Sequence, residues 1–250
     1  MAYDHLGRAT AVALSVVAAI VIPAWQAVGH VGLSAAQFSA QGDQTLRAAP
    51  YAFGIWSIIY LGLIAFAIYQ FRPAIRRSTV MGKVGWPAAG GILGCGLWIL
   101  ASAFNQQWLS VAIILASAGS LIGGLLCAPG TVSRNERWLI ITPLTLLAGW
   151  LTIASGLNLA TVLTAQGVIA PSVAWAAAAI LAVLAAGFLV GRRLFTPVYV
   201  APVVWGLIGV AVAEAGRPVV AGLALAGALT LTASLVTLRR KPPAYRVNSA

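Results

Sequence analysis

Long apolar runs, each about twenty residues in length, constrain this chain more than any other feature of its sequence. A helix of that length crosses the hydrocarbon core of a bilayer. In lipid, only helices and closed barrels satisfy their backbone hydrogen bonds, and a barrel strand would alternate apolar with polar residues. The sequence therefore predicts an all-α, polytopic transmembrane bundle of about eight helices. The predicted spans are residues 9–28, 51–70, 84–104, 108–128, 138–165, 172–191, 197–213 and 219–238.

The few charged residues lie between these runs and follow the sidedness of a membrane protein. They make up 8% of the chain, whereas soluble domains carry about a quarter. The formal net charge of +11 would by itself suggest nucleic-acid binding. However, of the 15 Lys and Arg residues, only Arg47 and Arg217 fall in the loops of one side. Because cytoplasmic loops retain Lys and Arg, we predict that both termini are cytoplasmic and that nucleic acid is not a partner.

The first apolar run has two interpretations. Arg8 precedes it, as a basic residue precedes the apolar region of a signal peptide, but the run is long for such a region. We expect a retained helix. Cleavage would leave seven helices without changing the orientation of the others.

The cysteine and histidine residues predict neither a disulfide nor a metal site. Cys95 and Cys127 should differ in membrane depth by roughly 15 Å, which is too far for a disulfide. His5 and His30 stand far apart in the sequence, and no metal-ligand spacing occurs.

The longest loop, residues 30–50, lies on the outer side in this orientation. Within it, residues 34–37 are expected to begin a short interfacial helix, and Gln41, Gly42 and Asp43 are expected to form a turn. At the outer end of the seventh run, Glu214 and Arg217 have the i, i+3 spacing of an ion pair. The alternative is that Glu214, as a carboxylate near a membrane span, has a proton or substrate role. An outer loop as long as residues 30–50 is often functional.

Glycine pairs in the third and fourth runs predict close helix packing. Gly90 and Gly94, and then Gly119 and Gly123, have the GxxxG spacing that lets helix backbones approach in lipid. The pairs either pack the third helix against the fourth within one chain or form the interface of a homodimer. Spacing alone does not distinguish the two arrangements.

Aromatic side chains converge on the outer half of the predicted bundle. Phe53, Trp56 and Tyr60 share a face of the second helix, and Trp150 and Asn158 share a face of the fifth, with Ala154 between them. Trp98 reaches a similar depth on the third helix. Such a set either lines a cavity for a flat apolar ligand or packs the interior of the bundle with its indole groups hydrogen-bonded.

Two of these stretches resemble a known family. Residues 50–60 (PYAFGIWSIIY) resemble the start of the second helix in the TspO/MBR family, the tryptophan-rich sensory proteins related to the mitochondrial translocator protein (peripheral benzodiazepine receptor). Residues 150–158 (WLTIASGLN) are similar to its fifth-helix pattern, W-V-x-F-A-T-x-L-N, and Trp98 falls where its third helix carries a tryptophan. The resemblance covers residues 10–160.

The chain also departs from the family pattern. Cys95 stands in place of an asparagine, and Leu146 and Leu147 stand in place of a Pro-Tyr pair. In the second helix the spacing from Phe53 to Trp56 is one residue shorter than in the family pattern. Ordinary members of the family have five helices, whereas this chain has three more after them. In this it resembles a longer, bacterial branch of the family. That resemblance places the protein in a bacterial cell membrane.

The resemblance implies a division of the chain and a ligand. Residues 1–165 would form a five-helix core lidded by the first loop, residues 166–238 three additional helices, and residues 239–250 a basic cytoplasmic tail. The ligand would be a tetrapyrrole such as protoporphyrin IX, or another flat hydrophobic molecule, and no cofactor would be required. The resemblance does not supply a partner for the ligand's acid groups; our own inference is that Arg47 in the lid could pair with a propionate. The implied ligand-binding residues are Phe53, Trp56, Tyr60, Trp98, Trp150, Ala154, Ser155 and Asn158.

The sequence leaves three functional classes open, of which a receptor or sensor agrees best with the aromatic motifs. A secondary transporter of a small hydrophobic solute would show internal repeats and polar groups near the midplane, and neither is evident. An enzyme would need a catalytic set such as Ser/His/Asp, a metal cluster or paired carboxylates, and none is found. A photochemical or oxidative reaction on a bound porphyrin would need only tryptophans, and this alternative stays open.

Overall fold

The computed structural model of the protein describes residues 2–41, 46–194, 196–239 and 246–247. Within these residues the chain forms a bundle of eight long helices, which confirms the predicted fold class. A 3-10 turn, Pro50–Gly54, leads directly into the second helix. The helices are α1 Ala2–Gly29, α2 Ile55–Tyr69, α3 Thr79–Ala103, α4 Gln107–Leu126, α5 Thr142–Ala165, α6 Val173–Leu194, α7 Pro197–Ala213 and α8 Pro218–Arg239.

The lengths of the helices suit a membrane. Seven of the described helices are long and apolar enough to cross one, and α7 is apolar but has only 17 residues, or about 26 Å. Helix α1 is one of these seven, so it is long enough to cross the membrane if it is not cleaved as a signal peptide. We call the end of the bundle that carries the 30–50 loop the outer end, following the predicted orientation.

Two short strands are the β-structure among the described residues. Strand β1, Thr131–Val132, pairs in parallel with β2, Arg246–Val247. The pair joins the end of the chain to the segment between α4 and α5, at the inner end of the bundle.

Helices α3 and α4 form a tight hairpin because glycine leaves room for the facing helix. Gly94 lies directly against the Ser117 side chain, and a Cβ atom on Gly124 would lie 2.6 Å from Cβ of Pro87. By contrast, a Cβ atom on Gly119 or Gly123 would meet nothing within 4 Å. The glycines of α3 therefore serve packing within the chain. The homodimer stays a prediction, and among the four predicted glycines Gly119 and Gly123 leave the most open face for it.

This hairpin yields a prediction with neighbouring residues as its own control. Gly124→Ala should lower the free energy of unfolding by about 1–3 kcal/mol, because the added methyl group overlaps the Pro87 ring. Gly123→Ala should change it by less than about 0.5 kcal/mol, since that face is open. Thermal unfolding in one detergent compares the two. Equal losses would show that the α3–α4 packing differs from the one described.

Local sequence signals explain how the helical segment that leads into α5 begins, with a short turn at Arg134–Glu136. Ser133 and Glu136 form a capping box, in which the Ser133 hydroxyl accepts from the Glu136 amide at 3.2 Å and the carboxylate accepts from the Ser133 amide at 3.0 Å. A π-helical turn, Arg137–Ile141, follows. Pro143, which has no amide hydrogen to donate, comes just after it. Gly62 of α2 packs on the Pro143 ring, with its Cβ position 3.1 Å from that of the proline.

The last three helices share the hydrophobic core of the first five. Helix α7 packs along α5, where Gly149 lies against the Tyr199 backbone. The hydroxyl groups of Thr152 and Tyr199 are 2.6 Å apart and hydrogen-bonded. A Cβ atom on Gly206 would lie 2.9 Å from Ile153. Helix α7 therefore supports α5 directly, while the division of the chain at residue 165 stays a prediction.

The outer loop contains the short helix that the sequence predicts. This helix, Ala35–Ser39, is capped by Ser34 and Gln37, whose side chains exchange hydrogen bonds with each other's backbone amides. Phe38 is buried and meets the Trp98 ring edge-on at 6.1 Å. We call this segment the lid helix. Of the predicted turn, Gly42 and Asp43 lie outside the described residues.

Candidate functional site

The predicted aromatic residues Phe53, Trp56 and Tyr60 form a cluster with Trp150 of α5. The Trp56 and Phe53 rings meet the Trp150 ring edge-on, with centroids 6.4 and 6.2 Å away. The Tyr60 ring lies next to the Trp56 ring, with centroids 5.2 Å apart. Edge-on pairs of this kind are favourable beyond the area they bury. Phe53 belongs to the 3-10 turn rather than to α2 itself, so its position depends on the loop as well as on the helix.

Two small adjoining cavities lie beside this cluster. One has a volume of about 40 Å³ and extends towards Cys95 on α3 and Ser117 on α4. The other has about 50 Å³ and extends towards Asn158 and Arg47. The four residues that border both cavities are Phe53, Trp98, Trp150 and Ala154. Together with Trp56 and Asn158, each of which borders one of them, six of the eight predicted ligand-binding residues therefore meet around this space.

Asn158 is buried and already engaged with α4. Its amide nitrogen donates to the Ser110 hydroxyl at 3.1 Å, and that hydroxyl donates to the backbone carbonyl of Gln107 at 2.6 Å. This arrangement orients the amide at the edge of the second cavity. Ser110 was not predicted, because nothing in its own helix marks it as a partner of Asn158.

Ser155 and Tyr60 do not border either of these cavities. Consecutive residues of an α-helix project about 100° apart, so Ser155 leaves the face that Ala154 shares with Trp150. It lines a separate cavity of about 270 Å³ between α4, α5 and α6, together with Trp175. Its hydroxyl is buried and has no hydrogen-bond partner among the described residues.

Trp98 connects the cavities to the lid. Its ring borders both small cavities and contacts Phe38 of the lid helix. Its indole nitrogen is buried and lacks a hydrogen-bond partner in the described part of the chain. An unpartnered buried N–H group costs free energy, so this donor would favour a ligand that carries an acceptor.

A larger chamber, about 400 Å³ in volume, lies at the outer end between the lid helix and α7. It shares Ser39, Arg47, Ala48 and Phe53 with the second small cavity. Phe53 therefore borders all three spaces, and its ring stands where the chamber, the second cavity and the aromatic cluster meet. The sequence did not predict the chamber, because its walls come from segments that are far apart along the chain.

Comparison with known families identifies the chain. The family model described as TSPO-like protein matches residues 9–237. The protein belongs to this TSPO-like family. The match extends through α6, α7 and α8, so it covers more than the five helices on which the sequence resemblance rests. Searches of curated proteins and of solved structures gave no match.

In this TSPO-like protein, α7 holds the segment that carries Phe53. The amide of Ala49 donates to the Gly209 carbonyl at 2.9 Å, and the Trp205 indole donates to the Ala52 carbonyl at 2.9 Å. The Trp205 ring also meets Tyr51 edge-on at 5.4 Å. Trp205 is thus a positioning residue for the site, and only its depth in the seventh run distinguishes it from an interfacial tryptophan.

Acidic residues contribute little to the site. Among the described residues no group of three or more His, Cys, Asp or Glu residues could hold a metal ion. Glu214 lies at the end of α7 and pairs with Arg217 at 3.3 Å, as the spacing predicted. The described residues that line the two small cavities and the chamber therefore offer aromatic and apolar surface, a few hydrogen-bonding groups and the guanidinium of Arg47.

Proposed function

We propose that this TSPO-like protein is a membrane receptor or sensor for a flat, largely apolar ligand of the tetrapyrrole kind. The observation that carries the proposal is the cluster of Phe53, Trp56 and Trp150 beside two cavities in the interior of the bundle. Aromatic walls with few polar groups are typical of sites for such ligands. The TSPO-like family supports a membrane sensor or receptor as the kind of protein.

The size of the cavities indicates how such a ligand would enter. At about 40 and 50 Å³, the inner cavities are far below the roughly 300 Å³ of ordinary ligand pockets. The outer chamber, at about 400 Å³, is large enough. A macrocycle would therefore have to displace the Phe53 ring and join the spaces. Because Phe53 follows the lid in sequence, binding would move the outer loop, and that movement would report ligand occupancy.

Quenching of tryptophan fluorescence by protoporphyrin IX tests the proposal on purified protein in detergent. We expect saturable quenching in the wild type. Affinity should fall about tenfold in Trp150→Leu, which removes the central ring of the cluster. It should fall about threefold to tenfold in Asn158→Ala, which removes one neutral hydrogen-bonding group.

A matched tryptophan variant separates the site from general quenching. Trp138 is exposed near the inner end of the bundle and borders none of the cavities described here. Trp138→Leu should leave the affinity unchanged. If quenching is not saturable, or if the wild type and the three variants bind protoporphyrin IX with equal affinity, the tetrapyrrole site is not at the aromatic cluster.

A further inference from the structure

We propose that the outer chamber is the entrance to the site, that Arg47 holds a carboxylate of the ligand there, and that α7 completes its wall. The ligand is then an amphipathic acid rather than a neutral apolar molecule. This inference rests on the proposed function for the position of the ligand's ring system. It adds the charge of the ligand, its route and a role for the C-terminal helices.

The placement of Arg47 is the first support. Arginine is disfavoured in outer loops by the positive-inside bias, and the described outer segments contain only two arginines, Arg47 and Arg217. Arg217 is paired with Glu214. Arg47 is partly buried and has no ion-pair or hydrogen-bond partner among the described residues. Its retention at this position is explained if it binds something.

The second support is the charge around Arg47. It borders both the chamber and the second small cavity, and none of the described residues that line either space is acidic. Glu214 follows Ala213 of the chamber wall, but it is 3% exposed and its charge is offset by Arg217. A partly buried guanidinium without an acidic neighbour favours a carboxylate partner, with charge-assisted hydrogen bonds. The chamber is thus complementary to an acid.

The third support is the contribution of α7. Val212 and Ala213 line the chamber opposite the lid helix. One turn earlier, the Gly209 carbonyl accepts from the amide of Ala49, two residues after Arg47. A Cβ atom on Gly209 would lie 2.9 Å from that of Ala52. Helix α7 therefore both closes the chamber and holds the backbone that carries Arg47, which a five-helix bundle alone would not provide.

A pair of matched ligands tests the inference on the full chain. Protoporphyrin IX carries two carboxylates, and its dimethyl ester is neutral with the same ring system. The readout is the ratio of their affinities in each variant, because differences in partitioning into detergent cancel between variants. The wild type should prefer the acid, and Arg47→Gln should reduce the preference at least about tenfold, as expected for loss of a charge-assisted bond. Arg47→Lys should retain part of it.

Two further variants keep the test independent of folding. Glu214→Gln combined with Arg217→Gln removes both charges of the other outer ion pair and should leave the ratio unchanged. Ala213→Phe should weaken both ligands by the same factor by narrowing the chamber, whereas Val219→Phe, on an exposed position of α8 outside the chamber, should weaken neither. Thermal unfolding of each variant confirms that the fold is intact.

The outcomes separate this inference from the proposed function. If both ligands bind the wild type equally and Arg47→Gln changes nothing, the acid-binding entrance is overturned while the aromatic site stands. If Ala213→Phe binds both ligands as the wild type does, α7 does not line the route and the inference fails. If neither ligand binds the wild type saturably, the proposed function and the inference fail together.

Discussion

Gly149→Leu should lower the free energy of unfolding by about 3 kcal/mol, the largest effect on stability that we expect from a single substitution. Gly149 lies directly against the backbone carbonyl of Tyr199, and its Cβ position is 3.3 Å from the Pro202 ring. Because a backbone group and a ring cannot rotate away, a side chain at this position would separate α5 from α7. It would also disturb the Thr152–Tyr199 hydrogen bond.

Thermal unfolding in a single detergent measures this effect. Gly123→Leu is the control. It introduces the same side chain into a helix, but at a position where an added Cβ atom would meet nothing within 4 Å. Ligand affinity should fall in the Gly149 variant as well, because α7 holds the segment that carries Phe53. Equal stability of the two leucine variants would show that α7 does not pack on α5 as described.

Ala154→Leu should weaken ligand binding by at least about tenfold while leaving stability unchanged or slightly raised. Ala154 borders both inner cavities, and three added carbon atoms would occupy space that the ligand needs. Filling a void ordinarily stabilises a protein by about 0.5–2 kcal/mol. Opposite changes in affinity and stability distinguish a binding cavity from a tightly packed interior, where an added side chain destabilises.

Fluorescence titration and thermal unfolding of the same samples provide both measurements. Ala185→Leu is the matched control, because Ala185 is exposed on α6 and borders none of the described cavities. If Ala154→Leu binds protoporphyrin IX as well as the wild type does, the ligand does not occupy the space next to Trp150. If it is destabilised by several kcal/mol, the aromatic residues are packing rather than a site.

Much of the site could be predicted because helical periodicity is local. Trp150, Ala154 and Asn158 lie on one face of α5 in the structure, as their i, i+4, i+8 spacing requires. Trp98 borders the same cavities because α3 runs towards the outer end in the same direction as α5 and carries Trp98 into its outer half. Ser155 shows the limit of the motif: it belongs to the family pattern, but its position one residue after Ala154 turns it towards another cavity.

The sequence by itself determined the elements of this protein. Apolar runs set the number and extent of the helices, because lipid leaves the backbone no other way to satisfy its hydrogen bonds. Short capping motifs determined where smaller elements begin, as Ser34 with Gln37 does for the lid helix. These signals act within a few residues, so they could be read without knowing how the helices pack.

Only the tertiary structure decided which helices touch and what spaces remain between them. The bond from Trp205 to the Ala52 carbonyl joins residues 153 positions apart, and the chamber around Arg47 is enclosed by the lid helix and α7. Such contacts depend on the rotation of each helix about its own axis and on glycines that permit close approach. No local pattern encodes these quantities, since each depends on the shape of the facing helix.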